Sequence, residues 1–170
     1  MTITPINACR ALSLCAALYG CIVAAIAAEQ QQITGTITVI NSAGDASCTY
    51  DVEPSRPVSL GAWVPGSCSG PEHSMKLELR RVPSATKIWL ATINPYESGE
   101  CSWDALKEAE SVELLTIKEP TSIEEPIAIA DLRTLQPGDI IKPGLKLIRH
   151  EVPAGIGINC LFIKVSPLAP

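Results

Sequence analysis

Short stretches in which apolar and polar residues alternate, each ended by a proline or a glycine, constrain this fold more than any other feature. The clearest is residues 75–80, MKLELR, which places apolar side chains on one face of a strand and charged ones on the other. Further short apolar stretches follow, separated by prolines at positions 120, 126, 137, 143 and 153. Since proline interrupts helices and central strands, this pattern indicates a sandwich or barrel. We predict one all-β domain, an antiparallel β-sandwich over about residues 33–166.

One stretch, SWDALKEAE, has the pattern of a helix. Ser102 can cap its first turn, and Asp104 places a negative charge near the positive end of the helix dipole. We therefore predict one short helix at residues 103–110. A helix of two turns is not stable alone, so we expect it to pack on the domain through Trp103 and Leu106.

Residues 1–28 have the pattern of a signal peptide for export. Arg10 supplies a positive charge, an apolar run follows, and small residues crowd its end, so we predict cleavage near Ala27 or Ala28. Two alternatives stay open. One is an uncleaved membrane anchor, for which the run is near the minimum length, and the other is a lipoprotein modified at Cys21.

The mature chain, residues 29–170, has the length of a single domain. Without the signal peptide it carries 12 basic and 18 acidic residues, a charge of −6. Nucleic acids and anionic lipids bind to basic surfaces, so an acidic domain is not expected to bind either of them. The composition predicts an exported domain with no nucleic-acid partner and no membrane span after signal cleavage.

Four cysteines remain in the mature chain: Cys48, Cys68, Cys101 and Cys160. An even number in an exported chain predicts two disulfides, because the compartment is oxidising. A zinc site would favour close Cys-x-x-Cys pairs, whereas the intervals here are 20, 33 and 59 residues, so we predict no metal and no cofactor. Three pairings are possible, and the sequence alone does not choose among them. Our preferred prediction is Cys48–Cys68 with Cys101–Cys160, where the shorter loop alone contributes about 3 kcal/mol in the chain-entropy model.

No set of catalytic residues can be assembled from the sequence. The two histidines, His73 and His150, accompany no G-x-S-x-G motif, and we interpret both as surface or turn residues. The neighbours Glu124 and Glu125 point to opposite faces of a strand, so they cannot face each other across a cleft as glycosidase carboxylates do. We predict no catalytic residue and no enzymatic activity.

Three tryptophans remain as candidates for contact with a partner. Trp89 lies in residues 87–93, a continuous apolar run typical of a strand buried on both sides, so we assign it to the core. Trp63 borders a Pro-Gly loop, and we expect it to be the most exposed of the three.

Residues 35–61 resemble the start of a chaperone–usher pilus subunit. The order GTITVINSAGDASCTYDVEPSRPVSLG contains a Gly-Thr strand, an Asp-Ala-x-Cys step ending at Cys48, and a Val-x-Leu-Gly segment. The alternation in residues 156–163 is similar to that in the last strand of such subunits. The spore-coat-like subunits of archaic pili, a related branch, also begin with a sequence similar to residues 35–61. The resemblance implies an immunoglobulin-like antiparallel β-sandwich that lacks its final strand, with residues 156–163 bordering the resulting apolar groove.

In that family a periplasmic chaperone fills the groove first, and the amino-terminal extension of the next subunit then replaces it by strand addition. Ile33, Ile37 and Val39 have the alternation that a donor strand needs, and Gly35 stands where two backbones would approach closely. The resemblance implies that these four residues bind a neighbouring subunit. The alternative is that they belong to the domain's own first strand.

These patterns predict an exported, non-enzymatic structural or adhesive subunit that assembles by β-strand donation, with other subunits and a periplasmic chaperone as partners. It would lie in the periplasm, at the cell surface in a fimbrium, or in the medium. The alternative class is a small periplasmic or secreted binding protein, such as a protease inhibitor or an immunity protein. Such a protein would fold alone as a monomer, whereas a pilus subunit would depend on its chaperone.

Overall fold

The computed structural model describes residues 35–53, 55–61, 66–94 and 100–166, which all belong to one compact unit. The predicted signal peptide, Ile33 and Trp63 lie outside the described residues. The strands within these ranges are β1 (Thr36–Asn41), β2 (Ala46–Asp51), β3 (Arg56–Ser59), β4 (Gly70–Pro71), β5 (Met75–Val82), β6 (Thr86–Thr92), β7 (Glu110–Thr116), β8 (Thr121–Ala128), β9 (Ile140–Lys142), β10 (Leu145–His150), β11 (Gly157–Ile158) and β12 (Cys160–Val165). The helices are α1 (Trp103–Leu106) and the 3-10 helices Glu72–Ser74 and Ile129–Thr134.

Two antiparallel sheets form a sandwich. One has the strand order β2-β1-β5-β8, the other has the order β3-β12-β6-β7-β10-β9, and a small ribbon pairs β11 with β4. All of these ladders are antiparallel. The all-β sandwich with one short α-helix, predicted from the alternating short stretches, is therefore confirmed.

The main core fills the space between the two sheets. Ile37 and Val39 of β1 and Leu77 of β5 face it from the four-stranded sheet, and Leu90 of β6 and Leu161 of β12 face it from the six-stranded sheet. β5 shows the predicted alternation, since its apolar side chains are buried and its charged ones are exposed or half-buried. Burial of each large apolar side chain stabilises the fold by about 1.5–3 kcal/mol, so this core is the main source of stability.

The outer face of the six-stranded sheet carries a smaller apolar cluster. Trp89 of β6 and Phe162 of β12 are buried there, with Leu106 of α1 and, half-buried, Trp103 packed against them. We call these four residues and the apolar side chains packed with them the outer cluster. β6 is therefore buried on both faces, as the continuous apolar run at residues 87–93 predicts.

α1 is shorter than the predicted helix over residues 103–110. It ends at Leu106, because β7 begins at Glu110 and the residues between them form the turn into that strand. Ser102 caps the helix as predicted, since its Oγ accepts a hydrogen bond from the N–H of Ala105 at 3.2 Å. A single turn of helix is not stable alone, so α1 depends on its apolar contacts and on the neighbouring disulfide.

The apolar alternation near the carboxyl end is divided between two strands. Asn159 separates β11 from β12, and its side chain accepts a hydrogen bond from the N–H of Ile93 at 2.9 Å and donates one to the Ile93 carbonyl at 2.7 Å. The sequence pattern also missed the 3-10 helix Ile129–Thr134, which is too short to give a recognisable period.

Candidate functional site

β1, which carries two of the predicted donor residues, lies inside its own sheet. β2 pairs with one edge of it and β5 with the other, so that Ile37 is opposite both Tyr50 and Leu79. Ile37 and Val39 are fully buried in the main core. The sequence left open whether these residues form a donor strand for another subunit or the first strand of their own domain. In the structure, Ile37 and Val39 belong to the domain's own first strand. Ile33 lies outside the described residues.

Gly35 stands at a close backbone approach, as predicted, but the approach is within its own domain. A Cβ atom there would lie 2.5 Å from the carbonyl oxygen of Arg81 and 2.6 Å from the Cα of Val82, both on β5. The Gly35 carbonyl also accepts a hydrogen bond from the N–H of Val52 at 2.8 Å. Donation of this segment to another subunit would require β1 to leave both of its present partners.

β12 has both of its edges paired as well. β6 lies on one side and β3 on the other, where Cys160 is opposite Ser59 and Ile163 is opposite Arg56. The resemblance implied that residues 156–163 border an open groove. In this conformation β3 occupies the edge that the groove would need.

Four cysteines in the described ranges form the two disulfides of the preferred prediction. Cys48–Cys68 joins β2 to the segment before β4 with 6.0 Å between the Cα atoms, and Cys101–Cys160 joins the segment before α1 to β12 at 5.7 Å. Both distances are typical of disulfides. These bonds exclude the alternative zinc site and indicate an oxidising extracellular or periplasmic setting.

A cleft of about 440 Å³ opens on the outer face of the six-stranded sheet, beside α1. It is lined by aromatic, aliphatic and cationic side chains together with one serine: Ser55, Trp89, Trp103, Leu106, Lys107, Arg149 and Lys164. We call it the tryptophan cleft. Its volume lies within the range of about 300–1,000 Å³ that is usual for small-molecule sites.

The aromatic rings beside the cleft are packed on one another. Trp89 and Trp103 meet edge to face, with centroids 5.7 Å apart and an interplanar angle of 87°. Trp103 also packs on Phe162, with centroids 5.3 Å apart, and the Lys87 ammonium lies 5.7 Å from the centroid of the Trp89 ring. Trp89 is 8% exposed, which confirms its assignment to a core, whereas Trp103 is half-buried and is the indole that a ligand would meet.

Arg149 brings a fixed positive charge to the cleft. Its Nη1 lies 3.0 Å from Glu151 Oε2, and its Nη2 donates to Ser111 Oγ at 3.0 Å. Within the described ranges, its Nε is the one buried side-chain nitrogen or oxygen that has no hydrogen-bond partner. A donor in this state costs about 1–3 kcal/mol, and because the atom is buried from solvent, a ligand in the open cleft does not reach it in this conformation.

Lys164 is the cation of the cleft with unused bonding capacity. Among the described residues it has no ion-pair partner. It also lies directly opposite Lys87 in the β12–β6 ladder, and Lys87 already pairs with Glu113 at 3.1 Å. Because like charges opposite each other in a sheet repel, the site gains stability if an anion binds beside Lys164.

Lys107 lines the same cleft and forms an exposed ion pair with Asp104, with 2.7 Å between Nζ and Oδ1. The hydrogen bond between them and then their charges raise the pKa of Lys107 and lower the pKa of Asp104. Both groups are therefore charged at neutral pH, and solvent screening keeps their contribution to stability small.

An ion cluster of Glu72, Arg133 and His150 lies beside a second cavity of about 340 Å³; its Glu72 and His150 side chains are buried and its Arg133 side chain is partly exposed. The Glu72 side chain is 1% exposed; Arg133 Nε donates to its two oxygens at 2.8 and 3.0 Å, and Arg133 Nη2 donates to Oε2. His150 Nε2 lies 3.1 Å from Glu72 Oε1. The prediction of a surface or turn position is confirmed for His73 and wrong for His150, whose side chain is 8% exposed.

This ion cluster has the form of a structural tie. Glu72 belongs to the first 3-10 helix, Arg133 to the second and His150 to β10, so the carboxylate joins three segments that are far apart in sequence. In the part of the chain that the structure describes, no serine, threonine or cysteine side chain is hydrogen-bonded to His150.

Two further kinds of site were sought in the described ranges. No group of three or more His, Cys, Asp or Glu side chains there is placed to hold a metal ion. No helix in those ranges combines the length and the apolar composition needed to cross a membrane.

Sequence reasoning missed the cations of the tryptophan cleft and the ion cluster. Trp103 and Leu106 were expected to pack on the domain, but their position in the same cleft as Arg149 and Lys164 depends on the strand order β12-β6-β7-β10, which the sequence does not reveal. The ion pair between Glu72 and Arg133 spans 61 residues and has no sequence signature.

Comparisons with protein-family models, with curated proteins and with solved structures found no match for this chain.

Proposed function

We propose that this protein is an exported, non-enzymatic binding protein that folds alone and acts as a monomer in the periplasm or outside the cell. The observation that carries this proposal is the pairing of β1 and β12 on both edges within one chain. Assembly by strand donation needs an incomplete sheet and a strand that is free to leave its own domain. Neither β1 nor β12 meets that requirement here.

Two further features support a binding role. The tryptophan cleft combines an apolar floor with cationic side chains, which is the composition of a ligand site. The carboxylate–imidazole pair of Glu72 and His150 is held by Arg133, so it serves the fold.

The test is whether the mature chain, residues 29–170, folds and remains monomeric without a chaperone. The chain is exported to an oxidising compartment, purified, unfolded in guanidinium with its disulfides intact, and refolded by dilution. We expect full recovery of the native far-UV signal and the mass of one chain by light scattering. Polymers of the mature chain, or failure to refold without a chaperone, would contradict the proposal.

A chaperone–usher pilus subunit is the competing candidate, and the resemblance of residues 35–61 is what favours it. It predicts the opposite outcomes: poor refolding alone, rescue by a periplasmic chaperone, and concentration-dependent assembly that requires Ile37 and Val39. In this conformation the same two side chains fill the main core, so replacing them would unfold the monomer before it affected assembly.

A further inference from the structure

We propose that the tryptophan cleft binds a small organic anion that carries a flat apolar body, such as an aromatic carboxylate. This inference deepens the proposed binding role and rests on it. Three observations carry it: the apolar floor, the charge of the lining residues, and the ammonium of Lys164, which has no ion-pair partner among the described residues.

The apolar floor comes from the outer cluster. Trp103 is half-buried and packs on Phe162 and Trp89, so it is the partly exposed aromatic residue of the outer cluster among the described residues. A flat apolar group placed in the cleft would cover its exposed surface together with the edge of Leu106.

The charge of the lining is opposite to that of the chain. The protein as a whole carries a net charge of −5, whereas the ionisable residues that line the cleft are Lys107, Arg149 and Lys164. Lys107 and Arg149 are paired with Asp104 and Glu151, which stand outside the lining set. The cleft is therefore a local cationic site that favours an anion on charge complementarity.

One of these cations has bonding capacity left for a ligand. Lys164 has no ion-pair partner among the described residues and is opposite Lys87 across the ladder, so a bound carboxylate would separate two like charges. The Arg149 guanidinium, held by Ser111 and Glu151, adds a positive charge to the lining, while its Nε–H is buried away from the open cleft. A carboxylate oxygen is an acceptor that forms a strong, charge-assisted hydrogen bond with the Lys164 ammonium.

The size of the cleft favours a small molecule over a protein surface. Its volume of about 440 Å³ holds one ring and a short acidic chain, and small-molecule sites begin at about 300 Å³.

The experiment measures binding of phenylacetate by two-dimensional NMR, following the indole N–H signals of Trp89 and Trp103. Phenylacetamide, which has the same shape without the charge, and acetate, which has the charge without the ring, serve as matched ligands. We expect saturable shifts of both indole signals with phenylacetate and binding at least about tenfold weaker for each of the other two. Phenylacetamide loses the charge-assisted hydrogen bond, which is worth about one decade of affinity, and acetate loses the burial of the apolar ring, which is worth at least as much. Equal binding of phenylacetamide, or the absence of any saturable shift with phenylacetate, would overturn the inference.

A pair of lysine variants provides the control. Lys164→Gln removes the unpaired cation of the cleft, and Lys76→Gln removes an exposed lysine on β5 in the other sheet. We expect Lys164→Gln to weaken phenylacetate binding about tenfold and Lys76→Gln to leave it unchanged. Equal effects of the two variants would show that binding depends only on general charge, against the proposed site. If phenylacetate does not bind, the protein can still refold as a monomer. Failure of this inference is therefore distinguishable from failure of the proposed function.

Discussion

The two apolar regions of this molecule share the six-stranded sheet but are covered in different ways. The main core lies under a second sheet, whose strands pair with partners from distant parts of the chain. The outer cluster lies under a single turn of helix, α1, which Cys101–Cys160 fastens to β12. We infer that the main core supplies most of the global stability. On the outer face, α1 is held by one disulfide and a few apolar contacts, so it can shift beside the tryptophan cleft.

The largest effect is expected from removing β1. Deletion of residues 29–40 takes away a strand that pairs on both edges, together with Ile37 and Val39. The two side chains alone represent about 3–6 kcal/mol of burial, and a whole domain is stable by only about 5–15 kcal/mol. We expect no cooperative thermal transition by far-UV circular dichroism.

Deletion of residues 29–34 alone leaves β1 whole and is the matched control, which we expect to fold. If the protein that lacks residues 29–40 folds as a stable monomer but no longer assembles, the donor-strand hypothesis is restored. That hypothesis concerns Ile33, Gly35, Ile37 and Val39.

The next largest effects are expected from removing the disulfides, because one bond lies in each of the two regions. The chain-entropy model gives about 4 kcal/mol for the Cys101–Cys160 loop and about 3 kcal/mol for Cys48–Cys68, since the sequence separations are 59 and 20 residues. Replacing each pair by serines should lower the free energy of unfolding in that order, measured in guanidinium. Only the Cys101→Ser/Cys160→Ser variant should also expose Trp103 to a collisional quencher, because it alone releases α1. Equal quenching in both variants would contradict a local role for the bond.

One substitution, Leu→Ala, can be made at a buried position in each region. Leu77 is fully buried in the main core. Leu106, the last residue of α1, is 8% exposed and packs in the outer cluster. Leu77→Ala should cost about 3–5 kcal/mol, in the upper part of the range for buried leucines, because two paired sheets cannot collapse onto the cavity. Leu106→Ala should cost about 2 kcal/mol or less, because one helical turn can relax. Equal costs in denaturant unfolding would show that the two regions form one cooperative unit.

The smallest effect is expected at the helix cap. Ser102→Ala removes the acceptor for the N–H of Ala105 and should destabilise α1 by about 1 kcal/mol. The change should appear as faster amide exchange within α1 with little change in the unfolding midpoint. An equal loss of protection in β1 would mean that α1 opens only when the whole domain unfolds.

Part of this fold could be predicted because it follows from local pattern. The alternation of apolar and charged residues predicted β5, and the continuous apolar run predicted that β6 is buried on both faces. The Ser102 cap, with Trp103 and Leu106, predicted that a short helix packs on the domain. The prediction of two disulfides followed from the even number of cysteines that remain when residues 1–28 are interpreted as a signal peptide.

The rest depends on which distant strands meet, which local pattern does not encode. The pairing of β3 with β12 closes the edge that the resemblance to pilus subunits left open. The strand order of the six-stranded sheet brings Arg149 and Lys164 to the outer cluster, and long-range contact alone places Glu72 beside Arg133. The candidate site was therefore visible from the sequence only in its aromatic half.

Native-state hydrogen exchange tests the central claim most directly, namely that β1 belongs permanently to its own domain while α1 is fastened locally. The amides of β1 should exchange only through global unfolding, among the slowest in the protein. The amides of Leu106 and Lys107, whose hydrogen bonds lie within the single turn, should exchange at least about 30-fold faster, corresponding to about 2 kcal/mol. Exchange of the β1 amides at the rate of the α1 amides, independent of global stability, would show that β1 leaves its sheet readily and would contradict this account.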